Sequence, residues 1–149
     1  MKDELDKLFQ ERNERIDKAA EDARQAKEQA DNLRNHALEL LNTIFVPVLR
    51  EFESELSSRG HSCRVAVGET STPRVVFGFQ LEAPGTRGRL PESTLTFVAN
   101  PKVQVNWDVW TPKGKVGNGA LPMKDLQSVD QEWVRKEVLS FVARVIRGA

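Results

Sequence analysis

From Leu5 to Ile44 an apolar side chain returns about every 3.5 residues. With Phe9 at heptad position a, the a and d positions read Leu5, Phe9, Arg12, Ile16, Ala19, Ala23, Ala26, Ala30, Leu33, Ala37, Leu40 and Ile44, and Arg12 alone is polar. Between Lys2 and Ser58 the chain holds a single proline and no glycine, and Ala, Glu, Lys, Arg, Gln and Leu dominate. That is a helical composition from end to end. At about 1.5 Å per residue, a helix from Leu5 to Ile44 is roughly 60 Å long, more than the width of a small domain. Alanines at successive a and d positions give a narrow, shallow seam, which suits close approach of another helix and stabilises little against water. Pairing in a coiled coil or helical hairpin is therefore expected. The alternative is a solvated single helix supported by pairs such as Glu11 with Arg15 and Asp31 with Arg34.

Beyond this segment the pattern changes twice. Pro47 removes a backbone donor and disfavours helical geometry at Val46, so the rod is expected to kink or restart there. Ile44, Val48, Leu49, Phe52 and Leu56 then form a broad apolar stripe, the pattern of a helix that covers a core, with Gly60 as its stop. After Gly60 the period falls to two. Cys63, Val65 and Val67 form one inward set; Val75, Phe77, Phe79 and Leu81 a second; Leu95, Phe97 and Ala99 a third; Val103, Val105, Trp107 and Val109 a fourth. The separators are rich in Pro, Gly, Thr and Asn, which predicts an antiparallel meander, with a weaker fifth strand over Val116 to Leu121. Ser128 and Gln131 have the spacing of a capping box, and Trp133, Val134, Val138, Phe141, Val142 and Val145 follow as the apolar face of a last helix. The expected fold is α+β: a coiled-coil-like arm over residues 1–42, then an α-β-β-β-β-(β)-α domain over 43–149 with two helices on one face of the sheet.

Charge is balanced overall, with Lys+Arg of 22 against Asp+Glu of 22, but it is unevenly spread. Residues 1–58 carry 14 acids and 9 bases, and residues 59–124 carry 4 acids and 9 bases. The lone cysteine, Cys63, excludes an intrachain disulfide and a multi-cysteine zinc site. The charged opening residues do not read as a signal peptide, and no run of apolar residues is long enough to span a membrane. A cytoplasmic protein without a membrane partner is expected.

Chemistry is sparsely signalled. His36 falls on the arm at heptad position g as a solvated flank residue. His61 lies two residues before Cys63 on the same strand parity, with Cys63 directed at the core, where cysteines are usually inert. Metal-ligand spacings, a phosphate-binding loop and a dinucleotide fingerprint are all missing, and the glycines of residues 114–119 follow a strand without opening a helix. No cofactor, metal or catalytic residue is assigned. The stretch from Pro84 to Pro91 is similar to the core of minor-groove-binding hook peptides, with Arg87 and Arg89 as the groove-entering residues; Thr86 and Leu90 stand where the hook has prolines. A strand-connecting loop with two solvated arginines is the preferred reading. The outer sheet face adds Arg64, Arg74, Trp110, Lys113 and Lys115, a basic set with one aromatic. The sequence therefore points to a non-enzymatic interaction protein that self-associates, or docks a partner helix, through Leu5, Phe9, Ile16, Ala19, Ala23, Ala26, Ala30, Leu33, Ala37 and Leu40. A nucleic-acid-binding module using the basic sheet face and the Arg87/Arg89 loop is the alternative.

Overall fold

The computed structural model describes residues 1–68, 72–82, 91–100 and 102–148. The chain divides into two compact units, Met1–Asn35 and His36–Ala149. The division falls ahead of the 42/43 boundary drawn from the sequence, because Ala37 and Leu41 are already buried in the second unit.

Helix α1 spans Lys2–Leu40. Every residue from Met1 to Leu33 is exposed. Local pairing supports the helix: the Arg24 guanidinium meets Glu21 at 2.5 Å and Glu28 at 2.7 Å, one turn to either side. These contacts lower the Glu21 pKa and raise that of Arg24. Arg15 donates from Nε to the Glu11 carbonyl, not to its carboxylate.

Helical backbone continues through a five-residue π turn, Leu41–Phe45, into α2, Val46–Ser58. Proline cannot give an amide hydrogen to the carbonyl one turn back, and the wide turn accommodates that loss. The Val46 N–H reaches back to the Leu41 carbonyl, the five-residue step of a π turn, and Pro47 sits in the first turn of α2. The extra residue also rotates the apolar face. Leu41 and Phe45, absent from the stripe read from the sequence, are fully buried, whereas Ile44 and Phe52 are only half-buried. Gly60 closes α2 with φ of 89°, and the amides of Gly60 and His61 bond to the Ser57 and Leu56 carbonyls. That pair of bonds is a Schellman closure.

The sheet is a five-stranded antiparallel meander in the order β1 (Ser62–Gly68), β2 (Arg74–Gln80), β3 (Ser93–Asn100), β4 (Lys102–Thr111) and β5 (Gly114–Ala120). The anticipated inward parity holds: Val75, Phe77, Phe79, Leu95, Phe97, Ala99, Val103, Val105 and Val109 are all buried. The fifth strand begins earlier than expected, at Gly114, and its register against β4 shifts between Val109 and Trp110, leaving Val116 as the extra residue of a bulge.

Helix α3, Gln131–Arg147, completes the layer beside α2. Its N-cap is Asp130, whose Oδ1 accepts from the Trp133 amide at 2.8 Å. The capping box read at Ser128 is thus corrected. Leu126–Ser128 forms a short 3-10 turn, and the aspartate two residues later supplies the acceptor at the true helix start. Glu51 on α2 and Arg135 on α3 are joined at 3.2 Å. Beneath them the layers interlock through aromatic edges: Phe45 meets Phe97 at 4.9 Å, Trp133 stands 6.1 Å from Phe97, and Phe141 lies 6.2 Å from Phe77. At the β5 side the Trp107 ring occupies the space a Cβ on Gly119 would need, and Arg144 lies over that ring at 4.4 Å.

Two substitutions check this packing in urea unfolding. Phe45→Ala should cost about 3–5 kcal/mol, the range for a large buried aromatic. Asp130→Ala should cost about 1 kcal/mol and Ser128→Ala far less, the reverse of what a cap at Ser128 requires.

Candidate interaction surfaces

Two surfaces carry the sequence-derived candidates: the a/d seam of α1 and the outer face of the sheet. On the seam, Leu5, Phe9, Ile16 and Leu33 are between 47% and 59% exposed, and Ala19, Ala23, Ala26 and Ala30 are exposed between them. Leu8, at flanking position g, is also exposed and extends the apolar surface. The seam is shorter than the sequence implied. Ala37 is buried and Leu40 half-buried within the second unit, so the exposed series ends at Leu33. An amphipathic period cannot reveal this, because an apolar a position looks the same whether its own domain or another molecule covers it.

The outer sheet face carries the side chains of opposite parity. Its basic residues are not gathered into one patch. Arg64 is held by Glu92 through two bonds, Nη2 to Oε1 at 2.6 Å and Nε to Oε2 at 3.2 Å. The Glu92 carboxylate lies over Gly78, where a Cβ would come within 2.5 Å of it. Lys115 meets Asp108 at 2.8 Å and stands 6.0 Å from the Trp110 ring. Arg74 pairs in register with Val98, and Val98 with Gln104, which places it at the opposite end of the face from Trp110. From Gln104 to Trp110 along β4 is roughly 20 Å at about 3.3 Å per residue. Lys113, in the β4–β5 turn, and Arg74 have no ion pair among the described residues. Arg87 and Arg89 lie outside the described residues.

Trp110 is exposed at the bulge, and its backbone amide donates to the Oγ of fully buried Ser93 at 2.9 Å. One aromatic with a neighbouring lysine is less than the two or three stacked rings that single-strand binding platforms commonly use. Alternating acids and bases also flatten the field that would draw a polyanion.

The Cys63 and His61 pair is not an activated nucleophile. Burial, with the Glu53 carboxylate adding to it, pushes the Cys63 thiol up to about 11. A catalytic thiol needs the opposite shift. His61 Nδ1 accepts the Glu82 amide at 3.1 Å, and its ring stands edge-on to Phe79 at 5.9 Å. Both groups are thereby accounted for by packing.

Among the described residues no cluster of His, Cys, Asp or Glu is arranged to hold a metal ion, and no helix is long and apolar enough to cross a membrane. Comparison with protein-family models, curated proteins and solved structures gave no match. The surfaces themselves therefore carry the functional argument.

One apolar surface escaped the sequence reading. Leu139 and Ile146 on α3 are exposed, with Ala143 between them at helical spacing and Arg144 and Arg147 beside them. The signal was present as a second apolar series, overshadowed by the stronger one through Val134, Val138 and Phe141.

The thiol gives a direct check. At pH 8 Cys63 in the native protein should react with a disulfide reagent far more slowly than in denaturant. The native rate should climb only as pH rises from the ordinary value of 9.0 toward 11. Over the same window the folded state loses whatever stability the neutral, buried thiol contributes, because a raised folded pKa favours the native state only while the group stays protonated.

Proposed function

We propose that this chain is a non-enzymatic interaction protein that self-associates through the first unit of its N-terminal helix, with the α+β domain carried as a second, presented surface. The observation that carries the reading is the exposed a/d series from Leu5 to Leu33 on an uninterrupted helix. Such a helix leaves apolar side chains in water at intervals that match one seam, and pairing removes them from it together. A cytoplasmic setting belongs to the same proposal, since a single thiol and no disulfide suit a reducing compartment.

Nucleic-acid binding has less support. Of the cations assigned to it, Arg64 and Lys115 are neutralised by Glu92 and Asp108, and Arg74 stands apart from the others.

The test is the solution mass of the full chain, by light scattering after size exclusion, with and without Ala23→Glu/Ala30→Glu. Both substituted positions are exposed, so the second unit should keep its stability. Self-association predicts an oligomer that falls to monomer in the double variant. An oligomer that the double variant leaves intact means that the seam is not the interface. A wild-type monomer rejects self-association and leaves the seam to a partner helix.

A further inference from the structure

Resting on that self-association, we infer that two copies pair antiparallel over residues 2–33, centred between Asp17 and Lys18. The argument begins with which charges on α1 are already satisfied. Glu21, Arg24 and Glu28 occupy heptad positions f, b and f, on the side away from the seam, and pair with one another within the helix. Asp6 and Lys27 at position e, and Arg15 and Asp22 at position g, flank the seam. None of these four has an ion pair among the described residues. Flanking e and g charges are the ones that choose a partner's orientation and register.

In the antiparallel register centred between Asp17 and Lys18, those four residues match. Asp6 faces Lys27 of the second copy and Arg15 faces Asp22, each pair occurring twice by symmetry. The core layers between residues 5 and 30 match too. Leu5 falls opposite Ala30, Phe9 opposite Ala26 and Ile16 opposite Ala19, so a large side chain meets a small one in each and the helix separation stays even along the seam. Arg12 falls opposite Ala23, where its aliphatic stem covers the methyl group while its head reaches water.

The competing arrangements fail on the same residues. A parallel pair sets Arg12 against Arg12 inside the seam, Phe9 against Phe9, and alanine against alanine from Ala19 to Ala30, so wide and narrow layers alternate in blocks. Sliding the antiparallel pair by one heptad toward the C-terminus brings Asp22 against Asp22 and draws in Ala37, which is buried in its own unit. Sliding it the other way brings Arg15 against Arg15. Like charges so placed oppose association.

Spin labels at exposed position f separate these cases in the full-length chain with Cys63→Ala. Labels at Lys7→Cys in both copies should lie beyond about 30 Å, whereas a mixture of Lys7→Cys and Glu28→Cys chains should give a short distance of about 20 Å. A short distance between two Lys7→Cys labels would make the pair parallel and overturn this inference while leaving self-association standing. A monomeric mass would overturn both. A second variant reads the register: Asp22→Arg should weaken the dimer about five- to tenfold, and adding Arg15→Asp should recover most of the loss. In a parallel pair Asp22 faces Lys27, so the second change would recover nothing and the antiparallel register would be rejected.

Discussion

Phe45 sits where three elements converge. It ends the π turn that leads out of α1, meets Phe97 in the centre of the sheet, and stands 6.4 Å from Trp133 near the start of α3. The ring is fully buried. It lies four residues after Leu41 and three and four residues before Val48 and Leu49, all buried, so one apolar face runs from the π turn into α2. The backbone irregularity and the aromatic cluster are thus one constraint seen from two sides.

The exposed heptad ends before this turn. Up to Leu33 the a/d residues are exposed; from Ala37 onward the helix is committed to its own domain. The π turn follows that change, at Leu41–Phe45, and carries the helix into α2 without breaking its path. Charge follows the division: on the back of α1 Glu21, Arg24 and Glu28 satisfy each other at one-turn spacings, while Asp6, Arg15, Asp22 and Lys27 beside the seam have no ion pair among the described residues.

Much of the fold was legible in the sequence. Strand parity from Val75 to Val109 was readable because alternation is a strict signal wherever one face is dry. Gly60 was readable as a helix stop because its left-handed conformation is one that other residues rarely adopt. The π turn was not legible: a single inserted residue leaves composition untouched and shifts the period by less than local scatter. Asp130 lost to Ser128 in the sequence reading because two capping residues two positions apart are equally good acceptors, and only the following turn decides between them. The pairing of Arg64 with Glu92 spans 28 residues and depends on Gly78 leaving room between them, which no local pattern announces. The surfaces were partly legible for a related reason. Periodicity locates apolar residues but not what covers them, so Ala37 was placed on the seam and Leu139 and Ile146 went unnoticed.

The bulge at Val116 has a bearing on how such a chain behaves when crowded. At high protein concentration a flat edge strand can zip onto the edge of a neighbouring molecule and propagate. In β5 the extra residue breaks the ladder next to Lys115, and its three glycines, Gly114, Gly117 and Gly119, leave little side-chain surface to reward such zipping. The strand that looks weakest in the sheet is in this sense a guard. It leaves the open edge of the sheet a poor template for a second molecule.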